Sequence, residues 1–259
     1  MPWTDHTPVE RHLCAGREVL VKRDDLYATP PAPPLAKLRG VRVHLAGGSG
    51  MVGVYDTRVS KAGWGVAAVC AEMGRPVYAY YPRLIAEGNT LRPAQANAAR
   101  LGAVLMPLAA GRTAICYARA RADCQRRGGT MLPLGLVLAE TVAAVAIEAA
   151  RTFEEVDPGC IVVSVGTGMI LAGLLAAAAG RPVFGVSAGM DPTRVRRRIE
   201  ATTGRPVPPC AIEASGDYYT PATGSGPFPM HPYYDLKAWR WLEAQTALPS
   251  PILFWNIGA

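Results

Sequence analysis

Short apolar runs alternate with helix-length amphipathic stretches through most of this chain, and that alternation constrains its fold more than any other feature. Val77-Tyr78-Ala79-Tyr80-Tyr81 predicts a strand, with helical patterns at 65–73 before it and 92–101 after it. Val104-Leu105-Met106 predicts the next strand and 114–127 the next helix, completing a βαβα block that begins near Val52. The pattern resumes after Pro133-Leu134-Gly135, with a helix at 139–153, a β-rich run at 160–165, a helix at 169–178 and a strand from Val183 to Ser187. Strands separated by helices predict an α/β fold built on parallel sheets covered by helices. The stretch 206–232 is rich in proline, glycine and serine, and apolar structure follows it, which predicts a long functional loop.

With 259 residues, half of them hydrophobic, the chain can bury one large core or two compact ones. Apolar stretches such as 161–165 and 170–179 are too short, or broken by glycine, to span a bilayer. The first residues show no signal-peptide pattern, so a soluble cytoplasmic protein with no membrane contact is expected. The six cysteines form no CxxC pair and have no histidine at zinc-ligand spacing, so no metal site or disulfide framework is expected. The net charge of +7 favours polyanions. Its one dense run, Arg194, Arg196, Arg197 and Arg198, is read as a solvated helix face.

Two features carry chemistry. Only four lysines stand against 23 arginines. Arginine replaces lysine as a surface charge but cannot form an imine with an aldehyde, so each retained lysine is a candidate for chemistry. Lys37 sits in a proline-rich approach to a helix starting near Leu38, where a helix N-terminus lowers an amine's pKa; the alternative is an ordinary surface lysine. The second feature is strand-Gly166-Thr167-Gly168-helix, a turn whose free N–H groups and helix dipole suit a phosphate. It can equally be a tight strand-to-helix turn. Leu171 occupies the third glycine position of GxGxxG, so a single phosphate fits better than a pyrophosphate.

Six segments in order resemble the fold-type II pyridoxal-phosphate enzymes, the tryptophan synthase beta-like group, and within it the branch of aminocyclopropane-carboxylate deaminase and D-cysteine desulfhydrase. They are Val21-Lys22-Arg23-Asp24-Asp25-Leu26 with Leu35-Ala36-Lys37-Leu38-Arg39; Val59-Ser60-Lys61-Ala62-Gly63-Trp64 and its continuation to Val69; Val163-Ser164-Val165-Gly166-Thr167-Gly168 through Gly173; Asp217-Tyr218-Tyr219-Thr220-Pro221; His231-Pro232-Tyr233-Tyr234-Asp235-Leu236-Lys237; and Pro251-Ile252-Leu253-Phe254-Trp255-Asn256-Ile257-Gly258. The resemblance implies two α/β domains with the cofactor in the cleft between them. Residues 1–47 and 133–259 would form the large domain and 48–132 the small one.

It also implies roles. Lys37 would form the Schiff base with pyridoxal 5′-phosphate and shuttle a proton at Cα. Gly166, Thr167 and Gly168 would hold the phosphate, and Asp235 would face the pyridine nitrogen, strengthening the electron sink. Ser60 would meet the substrate carboxylate or act near the reacting carbon. Tyr234, with Tyr218 or Tyr219, would donate protons or stack on the substrate; the alternative is core aromatics with satisfied hydroxyls. Relatives are usually dimers, so a homodimer is expected.

Three departures stand out. Lys61 replaces the family's asparagine beside the phenolic oxygen of the cofactor, where it could pair with that oxygen or compete with Lys37 for the aldehyde. Pro34, Leu35 and Ala36 replace the glycines and asparagine before the cofactor lysine. The chain is also shortened between Gly226 and Met230, which opens the substrate side. The leading expectation is a lyase or deaminase that labilises a Cα bond of a free amino acid. The alternative joins the shortening to the basic surface: an enzyme, such as a decarboxylase, acting on an amino acid carried on a nucleic-acid base, as in phage thymidine hypermodification. A third reading is a catalytically silent protein that binds the cofactor or nucleic acid.

Overall fold

The computed structural model describes residues 3–83 and 90–258. The chain opens with β1 (Val9–Cys14) and β2 (Arg17–Arg23), an antiparallel hairpin in register Cys14 to Arg17. Its two-residue turn, Ala15-Gly16, has positive φ at both positions, the twist that tight hairpins demand. A 3-10 turn, Asp24–Tyr27, leads on to α1 (Leu38–Leu45), β3 (Val52–Tyr55), α2 (Ala62–Glu72) and β4 (Val77–Arg83). Then come α3 (Pro93–Arg100), β5 (Val104–Ala109), α4 (Thr113–Arg126), the two-residue β6 (Thr130–Met131) and α5 (Ala139–Glu155). The chain closes with β7 (Cys160–Val165), α6 (Met169–Ala177), β8 (Val183–Ser187), α7 (Pro192–Thr203), β9 (Ala211–Ala214), α8 (Asp235–Glu243) and β10 (Ile252–Asn256).

These elements make two compact units. One includes Thr29–Pro33 and Val41–Val137 and carries the sheet β5-β4-β3-β6, parallel throughout. Tyr55, Tyr80, Cys116, Ala120 and Cys124 pack together on one of its faces. The other unit, Trp3–Ala28, Pro34–Gly40 and the chain from Leu138 on, carries the sheet β1-β2-β10-β7-β8-β9, parallel except for the opening hairpin. Thr29–Pro33 apart, the chain passes to the smaller unit after Gly40, within α1, earlier than the expected 47. Arg42 pairs with Glu72 at 3.0 Å and Arg75 Nη1 donates to the Leu45 carbonyl at 2.9 Å, which ties the rest of α1 to α2 and its sequel.

The six-stranded sheet is covered by helices, as unbroken apolar strands require. All six residues of β7 and all five of β10 are buried. Cys160, Val162, Ile252 and Phe254 meet Ala238, Trp239 and Leu242 of α8 together with Phe228. α5 and α6 pack closely because residue 173 is glycine: a Cβ there would lie 2.6 Å from that of Val145. β9 falls inside the stretch 206–232 expected as loop. Four residues at the sheet edge, two half-buried and two exposed, paired only with β8, leave too faint a pattern to read. Among the described residues no helix is long and apolar enough to cross a membrane.

Candidate cofactor site

Lys37 lies on a segment fixed from both ends. Ala36 N donates to the Ile257 carbonyl just past β10 at 2.9 Å, and Arg39 N closes a turn onto the Ala36 carbonyl at 3.2 Å. Two residues beyond Lys37, Arg39 Nε donates to Asp24 Oδ1 at 2.9 Å, its Nη2 stands 3.3 Å from Glu148 Oε1, and its guanidinium stacks 4.2 Å from the Tyr27 ring. Glu148 also receives Lys22 Nζ at 2.6 Å and Thr7 N at 3.0 Å, while Trp255 Nε1 donates to Asp24 Oδ2 at 2.9 Å. The charged run that ends β2 and follows it is thus an internal scaffold. It clamps the Lys37 segment to α5 and β10 through ion pairs that burial keeps from being screened.

Lys37 Nζ donates to Thr167 Oγ1 at 2.8 Å, within the glycine turn between β7 and α6. Burial, with the like charge of Arg198, brings the amine down to about 7, so near neutrality a large fraction is uncharged and nucleophilic. Both glycines of the turn are required. Gly168 caps α6 at φ 92°, and a Cβ there would meet Ile199 at 2.9 Å and Val195 at 3.0 Å; one on Gly166 would stand 3.0 Å from the Tyr234 ring. The first N–H groups of α6 have no partner inside the helix, which suits this turn to an anion.

Tyr234 Oη shares a 2.6 Å hydrogen bond with Tyr218 Oη, and burial raises its phenol well above the ordinary range, so it stays protonated. Tyr219 packs edge-on against Tyr218 at 4.8 Å but is 50% exposed, which separates it from that pair. Asp235, fully buried at the start of α8, accepts from Ser164 Oγ at 2.9 Å, Ile257 N at 3.2 Å and Gly258 N at 3.1 Å. Lys237 Nζ donates to the Asp217 carbonyl, anchoring the loop that carries both tyrosines. At the shortened stretch, Phe228 is buried with its ring 5.3 Å from that of Trp239, so the abbreviated chain still closes the core.

In the other unit, Ser60 and Lys61 lead into α2. Lys61 is its N-cap residue, and Ser60 Oγ accepts from Ala62 N at 2.9 Å. Ser60 also hydrogen-bonds Asp56, which follows β3 directly and accepts from Gly63 N at 2.7 Å. Burial pushes the Asp56 carboxyl up to about 7, against the pull of those donors and of Arg92. Among the described residues no group of three His, Cys, Asp or Glu side chains could hold a metal.

Over 276 residues the chain is 36% identical to the glycyl-dTMP PLP-dependent decarboxylase of Pseudomonas phage M6, a match covering 98% of this chain and 99% of that protein. The chain belongs to the fold-type II pyridoxal-phosphate enzymes. Pyridoxal phosphate is its cofactor. Solved structures agree on the fold. A homologue of ACC deaminase superposes with TM-score 0.79 at 18% identity, covering 99% of this chain and 90% of the other. Escherichia coli diaminopropionate ammonia lyase gives 0.66 at 13% identity, covering 97% and 82%, and maize serine racemase 0.65 at 12% identity, covering 98% and 88%. No protein-family model matches.

Three residues with buried or perturbed charges escaped the sequence. Glu148 lies mid-helix in α5 without a motif; its only trace is a charge on a helix whose neighbouring positions are apolar. Asp56 has a positional signal, a carboxylate just beyond the C-terminal end of a parallel strand, where α/β sheets bind ligands. Arg198 corrects the expectation of a solvated face. Arg194 and Arg197 are exposed, but Arg198 is half-buried, and the next residue, Ile199, packs on Gly168. Four arginines in five residues hide which one the helix turns inward.

Proposed function

We propose that this enzyme decarboxylates an amino acid attached to a nucleotide, the glycyl-dTMP named for its phage relative being the first substrate to test. The observation that carries this reading is the end-to-end identity with that relative. It supports the carrier-bound alternative over deamination or β-elimination of a free amino acid.

The residues present fit the cofactor: an amine near neutrality beside a glycine turn that tolerates no Cβ and opens a helix. Bound there, pyridoxal phosphate supplies a sink for the electron pair left at Cα when the carboxylate departs as CO2. Lys37 would hold the cofactor through its amine and would serve as the proton donor to Cα in place of the lost carboxylate. Gly166, Thr167 and Gly168 take the phosphate. Asp235 is proposed to face the ring nitrogen and keep it protonated, held in line by Ser164 and the Ile257 and Gly258 amides. Tyr234, kept protonated and tied to Tyr218, is a second proton donor. Ser60 is assigned to the substrate carboxylate on family resemblance, and Lys61, which stands where the family has asparagine, to the phenolic oxygen.

The test is to incubate the holoenzyme with glycyl-dTMP, with DNA bearing the same base, and with a panel of free L- and D-amino acids. Mass spectrometry follows CO2 loss, and colorimetry follows ammonia and sulfide. CO2 loss confined to nucleotide-borne glycine supports the proposal; ammonia or sulfide from free amino acids, with the nucleotide inert, overturns it. Borohydride reduction and peptide mapping should place the cofactor on Lys37, and a label on Lys61 would remove the assigned roles.

A further inference from the structure

Arg198 stands apart from the other arginines of α7. Arg196 Nη2 donates to the Cys210 carbonyl at 2.6 Å, and Arg194 and Arg197 reach solvent. Arg198 Nη1 is buried and has no hydrogen-bond partner among the described residues. A buried guanidinium N–H left unsatisfied is costly, and an anion best relieves it. The surroundings hold more positive charge: besides burial, the like charge of Arg198 depresses the Lys37 amine, and besides burial, Arg194 depresses Arg198. The side chain belongs to the turn of α7 whose Val195 and Ile199 pack on Gly168, and Lys37 is bonded to Thr167 in the same turn. Two cations and a helix N-terminus therefore converge on one small region.

We propose that Arg198 pairs with a phosphate seated at the Gly166-Thr167-Gly168 turn. Fold-type II membership assigns that turn to the phosphate, but none of the matched motifs includes Arg198. Two phosphates could supply the charge, that of the cofactor and that of a nucleotide-borne substrate. The second source rests on the proposed function; the first does not.

The test uses the enzyme stripped of cofactor with hydroxylamine, comparing R198Q, R198K and the exposed neighbour R197Q with the unaltered chain. Affinity for pyridoxal phosphate and for pyridoxal, which lacks the phosphate, is read from fluorescence quenching. Affinity of the holoenzyme for dTMP is read by calorimetry. If the cofactor phosphate is the partner, R198Q weakens pyridoxal phosphate about tenfold to a hundredfold, leaves pyridoxal unchanged, and is partly rescued in R198K, while R197Q does nothing. If the substrate phosphate is the partner, the cofactor is unaffected and R198Q loses dTMP by a similar factor. Equal weakening of pyridoxal phosphate and pyridoxal, or no change in any of the three ligands, overturns the proposal. Because the cofactor arm needs no decarboxylase, an enzyme inert on glycyl-dTMP can still confirm it.

Discussion

Replacing Glu148 by glutamine tests whether the buried scaffold, beyond apolar packing, holds the Lys37 segment. Glu148 is 1% exposed and Lys22, 2.6 Å away, is 0% exposed, so the variant leaves a lysine ammonium buried without its carboxylate. Glutamine keeps an acceptor for Thr7 N, so the loss is mainly that of charge. Breaking a buried pair in this way costs about 3–5 kcal/mol. At about 2 °C per kcal/mol for a chain of this size, the melting temperature should fall by about 6–10 °C. K22M should cost less, because Glu148 keeps Arg39 at 3.3 Å, and the K22M/E148Q pair should fall short of the sum by about 1–3 kcal/mol. The pH dependence has a fixed sign. The facing cations hold Glu148 below its ordinary value, so its contribution is complete above its unfolded pKa of about 4.3 and is lost as pH falls through the lower folded value. The gap between wild type and E148Q should therefore close in acid. Circular-dichroism melts across pH measure all of this, and an E148Q loss under about 1 kcal/mol, or a strictly additive double variant, would refute it.

Other perturbations probe the site directly. G168A places a side chain at φ 92° against Ile199 and Val195, which should cost about 1–3 kcal/mol and weaken cofactor binding, read by denaturation and by cofactor titration. Y234F removes one partner of the 2.6 Å hydroxyl pair, for about 1 kcal/mol of stability and a lower kcat in the CO2-release assay. In the cofactor-free enzyme, burial of Lys37 disfavours its charged form, a penalty complete below about pH 7 and relieved as pH rises toward the ordinary lysine value of about 10.4. K37M should then be more stable than wild type at pH 6 and lose that advantage by about pH 10; a pH-independent difference would remove the claim of a depressed amine.

The parts of this fold that depend on repeated patterns were legible. The alternation of β4, α3, β5 and α4, and of α5, β7, α6 and β8, follows from apolar period and from glycine punctuation, and the order of the motifs marks Lys37 and the 166–168 turn. The opening hairpin was less so, because β2 mixes Lys22 and Arg23 into a strand that ends buried on the scaffold. Single residues whose meaning lies in a distant partner were not legible at all. Glu148 is defined by Lys22 and Arg39, more than a hundred residues away, and Arg198 by which side of α7 it takes. Asp235 shows the middle case: its motif drew attention, but only the fold reveals that Ser164 and two backbone amides grip the same carboxylate.

The charge arrangement around Lys37 follows from these energetics. A reactive amine must be buried enough to lose its proton, and burial is paid for in stability whenever the site lacks an anion. Lys37 meets that condition beside Arg198 and the end of α6, where the local charge is positive. The opposing acids, Asp24 and Glu148, are spent on Arg39 and Lys22, holding the segment without lying against the amine. A carboxylate moved next to Lys37 would stabilise the empty site and raise the amine's pKa, lowering the nucleophilic fraction. Asp24 and Glu148 are therefore kept one layer from the amine, and the unsatisfied positive charge is left for a phosphate to complete.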